Sequence, residues 1–218
     1  AAKVFPQKFG TVDAWWNQAA GLIADAGFNG TGSWSSDEFN AGGNRRLVYT
    51  PQLSMMAGYG RKRGGTYQKP GHTGYPNDCI FAFDPGFEAY CDERARELVA
   101  RKDDPWLLGY FSDNEMPFPE DLIDKALKLP AADPTRQAAE AWLAERKLDR
   151  TKLTREDREA WRGDVAEKYF STVARAIRKY DPNHLYLGSR FYGSEKRSEA
   201  VFAAAGKYVD VVSCNVYQ

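Results

Sequence analysis

Three consecutive polar residues, Asp113, Asn114 and Glu115, follow a short apolar run in the middle of the chain. The run, Trp106–Phe111, has the length and aromatic content of a buried strand, and Pro117 ends the stretch. A carboxylate that the end of a strand delivers into a cleft can serve as a general acid or base. The alternative, that Glu115 caps or solvates a loop, stays open from these residues alone.

Polar or aromatic clusters also follow three other apolar stretches of the chain. They are Trp34–Glu38, Arg190–Tyr192 and Asn215–Tyr217. If the strands are parallel, their carboxyl ends meet on one face, and these clusters lie near Glu115. Trp34, Arg190, Asn215 and Tyr217 are therefore candidate substrate-binding residues, although each residue type is also an ordinary packing residue.

The elements that position these residues alternate between helix and strand. The predicted strands are Phe28–Trp34, Arg46–Met55, the run ending at Asn114, Leu185–Ser189 and Val209–Asn215. The predicted helices are Val12–Ala26, Pro85–Arg101, Asp121–Leu129, Thr135–Lys147, Thr154–Tyr180 and Ser198–Tyr208. Such alternation, without hairpin signals, indicates an α/β fold with parallel strands joined by right-handed crossovers.

The strand count favours part of a (β/α)8 TIM-type barrel over an open doubly wound sheet. No glycine-rich phosphate turn follows an early strand, so a dinucleotide site is not expected. Five strands cannot close a barrel of eight. We interpret residues 1–218 as one partial catalytic barrel domain that contains strands two to six, with a helical insertion at about 119–160. An open barrel exposes two sheet edges, so we expect a second polypeptide or a further chain segment to cover them.

Residues Met56–Asp84 are predicted to form a long loop that is rich in glycine, tyrosine and basic residues. Loops of that length are uncommon in compact domains and are usually functional or disordered. Tyr59 and His72 are accordingly predicted to line one wall of a cleft, with flexible low-complexity structure as the competing interpretation.

Composition excludes several classes of function. The 30 basic and 30 acidic residues give a net charge of zero, which removes the electrostatic signature of a nucleic-acid-binding protein. No apolar run approaches the roughly 20 residues that cross a bilayer, so no membrane partner is expected. Two histidines and three scattered cysteines provide no metal motif, and no cofactor is expected. Free thiols are the favoured state, with a Cys79–Cys91 disulfide as the alternative.

Four segments carry a resemblance to a known group of enzymes. Asn114-Glu115 resembles the fourth barrel strand of clan A glycoside hydrolases, in which an asparagine precedes the acid/base glutamate. The stretches Gly27–Ser35, Leu108–Glu115, Leu187–Phe191 and Asp210–Tyr217 are similar, in the same order, to family 50 β-agarases.

This resemblance implies a retaining glycoside hydrolase that acts on a β-linked polysaccharide and degrades it outside the cytoplasm, as a secreted or periplasmic protein. Glu115 matches the general acid/base, and Asn114 matches the residue that binds the 2-hydroxyl of the sugar. The resemblance places the nucleophile at the end of the seventh strand, outside this chain. Glu195 and Glu38 do not match that position.

Two other functions stay open at this point. A carbohydrate-binding or structural relative would share the fold without hydrolysing its ligand. A different barrel enzyme could use Glu115 as a base or as a ligand to a hard cation, together with Asp113 and Asp37.

Overall fold

A computed structural model describes residues 4–35, 47–63 and 79–217. Most of the described chain is helical, and short strand segments separate the helices. The α-helices are α1 (Val4–Phe9), α2 (Val12–Asp25), α3 (Met55–Arg63), α4 (Pro85–Ala95), α5 (Leu122–Ala126), α6 (Pro134–Arg146), α7 (Arg155–Tyr180) and α8 (Glu199–Gly206). Short 3-10 helices span Arg96–Ala100 and Gly193–Arg197.

The strands form a parallel ladder that follows the order of the chain. They are β1 (Gly109–Tyr110), β2 (Asp113–Asn114), β3 (Leu185–Tyr186) and β4 (Ser189–Arg190). β1 pairs with β3 and β2 pairs with β4, both in parallel. Single parallel bridges extend the ladder at both sides: Gly30 to Val48, Tyr49 to Leu107, Gln52 to Phe111, and Phe191 to Cys214. Five neighbouring strand segments result, 29–31, 48–53, 107–114, 185–191 and 210–215, and the predicted parallel α/β arrangement is confirmed.

Helix α7, with 26 residues, is the longest helix of the described chain, and its sequence explains why it forms. Thr154 and Asp157 make a capping box, in which the Thr154 hydroxyl accepts from the Asp157 N–H and the Asp157 carboxylate accepts from the Thr154 N–H. A stripe that includes Val165, Phe170 and Ile177 is fully buried. Through these side chains α7 packs against α4, α5 and α8.

The charge run Arg155–Glu159 is only partly a solvated helical face. Arg158 makes a two-pronged ion pair with Asp124 at 2.8 and 3.0 Å. Glu159 pairs with the buried Arg162 at 2.7 Å. The Arg158–Asp124 pair joins α7 to α5, which sequence periodicity on a single helix cannot show.

The predicted loop at Met56–Asp84 is wrong over its first part, because residues Met55–Arg63 form helix α3. The buried Asp113 carboxylate accepts hydrogen bonds from the N–H groups of Met56 and Ala57, at 2.7 and 2.9 Å, and so caps the start of this helix. Gly58 allows α3 to approach α4, since a Cβ atom there would clash with the Tyr90 hydroxyl. Residues 64–78, including His72, lie outside the described part of the chain.

A buried network of hydrogen bonds connects residues at the amino-terminal side of the ladder. Asp181 accepts from the Tyr110 hydroxyl at 2.6 Å and contacts the His184 Nδ1 at 2.7 Å. Burial opposes ionisation of Asp181, yet these hydrogen bonds and one from the Asn183 N–H outweigh it and lower the pKa of Asp181 below its ordinary value of 3.8.

The lowered pKa of Asp181 predicts a pH dependence of stability. Because the unfolded chain takes up this proton first, the stabilisation is complete above pH 3.8 and is lost as the pH falls through the folded-state pKa. In urea titrations at several pH values, Asp181→Asn should be less stable at neutral pH and should lose less stability on acidification. The slope of unfolding free energy against pH should differ between the variant and the native chain by at most about 1.4 kcal/mol per pH unit. Asp103→Asn, which replaces an exposed aspartate, is the control. If the unfolding free energy of Asp181→Asn changes with pH as steeply as that of the native chain, the assignment is wrong.

The described residues contain neither a disulfide bond nor a helix that could span a membrane. Cys79, Cys91 and Cys214 are free thiols, which confirms the favoured interpretation over a Cys79–Cys91 disulfide. None of the helices within residues 4–35, 47–63 and 79–217 has the length and hydropathy of a membrane span.

Candidate active site

Glu115 lies directly after β2, at the carboxyl end of its strand segment. Its N–H donates to the Arg190 carbonyl at 3.0 Å, so the backbone is still paired at this residue. Its φ angle is +50°, in the left-handed region that non-glycine residues rarely adopt. Residues two apart in a regular strand point to the same face. The turn at Glu115 breaks that rule, and the Asp113 and Glu115 carboxylates contact different parts of the molecule.

The Glu115 carboxylate is held by two donors from another strand segment. Its Oε1 atom accepts from Asn215 Nδ2 at 2.7 Å and from the Tyr217 hydroxyl at 2.9 Å. Asn215 ends the segment 210–215 and Tyr217 follows it, and this segment pairs with segment 185–191 rather than with that of Glu115. The two backbones are therefore about 10 Å apart, at about 4.8 Å per strand, and the side chains span this gap over the end of β4.

Arg190 and Trp34 lie at the same end of the ladder and present polar and aromatic groups. Arg190 is the register partner of Asn114. Its guanidinium carbon is 5.8 Å from the centre of the Trp34 ring and 5.7 Å from that of Phe111. Trp34 also has a positive φ, +72°, and 70% of its surface is exposed. An exposed indole beside a cation can stack on a flat apolar face of a ligand while the arginine binds its polar groups.

The structure thus brings six of the eight predicted site residues to one end of the ladder. We call them the strand-end cluster: Glu115, Asn114, Arg190, Asn215, Tyr217 and Trp34. Two non-glycine residues of this cluster have left-handed backbones, and such strained residues concentrate at active sites and ligand-binding loops. The geometry suits binding of a polar ligand against a half-buried carboxylate.

Tyr59 does not join the cluster. It is buried on α3, where its ring packs against Phe87 and Tyr90 at 5.5 and 5.6 Å, and its hydroxyl bonds the Asp84 carboxylate. The prediction that Tyr59 lines a cleft depended on a loop, and the residue instead packs α3 against α4. His72 lies outside the described residues, so its predicted role stays a prediction.

Asp113 stabilises the fold through hydrogen bonds and is not placed to bind a cation. Besides the two α3 N–H groups, it accepts from the Tyr169 hydroxyl at 2.6 Å, and it is fully buried. Its oxygens are therefore engaged by donors that would repel a cation. Within the described ranges, no three His, Cys, Asp or Glu side chains are arranged to hold a metal ion.

Glu195 is also a local structural residue. It is buried and accepts from the Tyr192 N–H at 2.6 Å, within the first turn of the short helix Gly193–Arg197. Burial raises the pKa of Glu195 above its ordinary value of 4.5.

Sequence reasoning missed several polar contacts near the cluster. Ser33 donates to Gln52 Oε1 at 2.8 Å across the ends of the first two segments. Lys196 Nζ donates to the carbonyl of Asn215 at 3.0 Å. Gln52 carried no signal in the sequence because it follows a proline in an otherwise apolar strand, and Lys196 sits in a stretch with several other charges.

Comparisons with known proteins relate the chain to β-agarases. No protein-family model matches the chain. The chain is 26% identical over 234 residues to β-agarase B of Vibrio sp. (strain JT0107), a match that covers 89% of this chain and 23% of that protein. A 59-residue stretch is 48% identical to β-agarase A of the same strain, covering 27% of this chain and 6% of that protein.

Solved structures show the same similarity in three dimensions. The crystal structure of BpGH50 superposes on the whole chain with a TM-score of 0.83 and 28% identity, over 50% of its own length. An exo-β-agarase superposes on 95% of the chain with a TM-score of 0.72 and 27% identity, over 32% of its length. The agarase AgWH50C gives a TM-score of 0.72 and 26% identity over 98% of the chain and 33% of its own length.

The chain spans about half the length of BpGH50 and about a quarter of that of β-agarase B. Over that span the order of strands and helices is shared along nearly the whole of this chain. In sequence and in fold, the chain resembles the family 50 β-agarases.

Proposed function

We propose that this chain provides the acid/base half of the active site of a glycoside hydrolase that cleaves a β-linked polysaccharide of the agarose type. The observation that carries the proposal is Glu115, a carboxylate at a strand end that is oriented by Asn215 and Tyr217 and flanked by Arg190. The similarity to β-agarases supports the substrate class.

The fold we propose is strands two to six of a (β/α)8 barrel, as one catalytic domain over residues 1–218 with α5, α6 and the start of α7 as an insertion at about 119–160. The two outer segments of the ladder support a larger assembly, because their apolar side chains are exposed. Phe28 is 66% exposed at one edge, and Val211 and Val212 are about 40% exposed at the other. A further segment or a second polypeptide would cover both edges and supply the remaining strands.

The mechanism we propose is double displacement with retention of configuration. Glu115 donates its proton to the glycosidic oxygen as the C1–O bond breaks, and a second carboxylate from outside this chain forms a bond to C1. Glu115, now ionised, then takes a proton from a water molecule whose oxygen attacks C1 and displaces the second carboxylate. Asn114 donates to the 2-hydroxyl of the sugar, a contact that tightens in the transition state.

A second candidate function is carbohydrate binding without hydrolysis. The exposed Trp34 ring and the Arg190 guanidinium favour it, because they would bind a sugar whether or not a nucleophile is present. In the described part of the strand-end cluster, Glu115 is the one carboxylate. Both functions bind the same ligand, but only the hydrolase cleaves it.

Replacement of Trp34 by alanine should weaken binding of agaro-oligosaccharides about 5- to 30-fold. Loss of a stacking face removes about 1 to 2 kcal/mol of apolar contact. Isothermal titration calorimetry with an oligosaccharide series measures the change. Trp106→Ala is the matched control, since Trp106 is a partly exposed indole at the opposite end of the same strand segment as Glu115. Equal affinity of the Trp34 variant and the native chain would remove Trp34 from the site.

The experiment that tests the proposed function compares hydrolysis of neutral and sulfated polysaccharides by this chain and by a C-terminally extended form. We expect cleavage of agarose by the extended form alone. NMR of the first product should show the β anomer at the new reducing end, as retention requires. Initial release of the α anomer would establish inversion, and oligosaccharide binding without product by both forms would favour the binding function. For an enzyme that degrades a polymer, we propose a secreted or periplasmic location.

A further inference from the structure

The two hydrogen bonds to Glu115 converge on a single oxygen atom. Asn215 Nδ2 and the Tyr217 hydroxyl both donate to Oε1, at 2.7 and 2.9 Å. An oxygen that accepts two hydrogen bonds from side-chain donors has no room for a proton of its own. When Glu115 is protonated, its hydrogen is therefore on Oε2, which has no hydrogen-bond partner among the described residues. The two donors select the oxygen that carries the acid proton.

These donors lie at and beyond the last ladder hydrogen bond of their segment. That bond runs from the Asn215 N–H to the Phe191 carbonyl, at 2.7 Å. Tyr217 is 68% exposed and Val216 is 77% exposed. Side-chain contacts with neighbouring elements therefore help to set where the two donor groups lie.

Lys196 contacts one of the two donor residues directly and reaches the other through the ring of Tyr192. Lys196 Nζ donates to the Asn215 carbonyl at 3.0 Å. The same ammonium group lies 5.6 Å from the centre of the Tyr192 ring, and that ring packs edge-on against the Tyr217 ring at 5.5 Å. Lys196 is itself set in place by the short helix Gly193–Arg197, which the buried Glu195 carboxylate closes through the Tyr192 N–H. The contacts form one continuous path from Glu195 to Glu115.

We propose that Lys196 and Tyr192 are positioning residues that brace Asn215 and Tyr217, so that Glu115 presents a protonated Oε2 to the glycosidic oxygen. Neither residue touches the carboxylate. They act by keeping the two donors within hydrogen-bond distance of Oε1. This inference rests on the proposed role of Glu115 as the acid/base, and it adds the residues that orient its proton.

NMR of the two donor groups tests the brace without any turnover. The Nδ2 protons of Asn215 and the ring carbon that carries the Tyr217 hydroxyl are observed in labelled chain, and their signals are assigned by their absence in Asn215→Ala and Tyr217→Phe. A hydrogen-bonded amide proton exchanges with water only when the bond opens. Loss of a hydrogen bond worth about 1 kcal/mol should therefore speed exchange of the Asn215 amide about fivefold. The Tyr217 carbon should shift toward its value in the unfolded chain.

Two brace variants separate positioning from simple electrostatics. Lys196→Met removes a positive charge as well as the contact, whereas Tyr192→Leu removes only the ring. Lys196→Met should speed exchange of the Asn215 amide about three- to tenfold, and Tyr192→Leu should move the Tyr217 signal. Lys196→Arg should keep the native exchange rate, and Lys207→Met, which breaks a surface ion pair with Glu167, should leave both signals unchanged. A Tyr217 signal that stays at its native position in Tyr192→Leu would overturn the proposal.

A double-variant comparison shows whether Lys196 acts through the donors. In the extended form, Lys196→Met alone should lower kcat about tenfold with KM unchanged if Glu115 is the acid. In the background Asn215→Ala with Tyr217→Phe, the brace has nothing left to position, so Lys196→Met should add less than about a twofold loss. A full further tenfold loss in that background would overturn the brace. Altered donor signals in the brace variants, together with native hydrolysis in Glu115→Gln, would leave the brace standing and remove the proposed function.

Discussion

Replacement of Glu115 by glutamine is expected to lower kcat/KM for agarose hydrolysis by about 10²- to 10⁴-fold in the extended form. The amide is isosteric, and its oxygen can still accept from Asn215 Nδ2 and the Tyr217 hydroxyl. The fold and the substrate affinity should therefore be retained. The amide cannot donate a proton to the leaving oxygen, so only the rate of the chemical step should fall. Initial rates of reducing-end release, together with melting curves, measure both properties.

The matched control for this substitution is Glu120→Gln. Glu120 is an exposed glutamate five residues further along the chain and outside the strand-end cluster. It should change the rate less than about twofold, since surface substitutions away from a site are nearly neutral. If Glu115→Gln hydrolyses agarose as fast as the Glu120 variant does, Glu115 is not the acid.

Replacement of Asp113 by alanine is expected to destabilise the chain by about 3 to 5 kcal/mol. The substitution leaves two buried donors without an acceptor, the N–H groups of Met56 and Ala57. It also removes the shorter of the two hydrogen bonds of the Tyr169 hydroxyl, which keeps Ser112 Oγ at 2.8 Å. Each unsatisfied buried donor costs about 1 to 3 kcal/mol. Because Asp113 caps α3, the loss should appear as an unfolded or detached α3. Urea unfolding followed by circular dichroism gives the change in free energy.

Two further variants sharpen the Asp113 experiment. Asp113→Asn keeps one acceptor oxygen, so it should show roughly half the loss. Asp103→Ala removes an aspartate whose side chain is 79% exposed and should cost less than about 0.5 kcal/mol. A loss below 1 kcal/mol for Asp113→Ala would mean that its three hydrogen bonds do not hold α3.

The parts of the fold that follow from local signals could be predicted from the sequence. Helix α7 was predictable because its capping box, Thr154 with Asp157, lies within four consecutive residues. The five strand segments follow from apolar runs with polar ends, and their parallel pairing follows from the helices between them. Helix α3 was not predictable, because its first turn is completed by Asp113, which is 57 residues from Met56 in the chain.

The arrangement within the site depends on features that no residue type reveals. Asp113 and Glu115 have the same chemistry and lie two apart. The positive φ of Glu115 separates them into a helix cap and a half-buried carboxylate in the strand-end cluster. Tyr59 is of a residue type that often binds ligands, yet tertiary packing buries it. The contact of Lys196 with the Asn215 carbonyl joins a side chain to a backbone atom, and such contacts leave no pattern in a sequence.

The central claim, that Glu115 is the acid/base of a double displacement, is tested most directly by chemical rescue of Glu115→Ala. The substrate is an aryl β-glycoside with a dinitrophenolate leaving group, which departs without protonation. In the extended form, azide should raise turnover about 10- to 100-fold, since it replaces the general-base step on the side of the sugar that Glu115 has vacated. The product should be the β-glycosyl azide. Formation of the α-glycosyl azide would identify Glu115 as the nucleophile instead, and native turnover without azide would contradict any catalytic role for it.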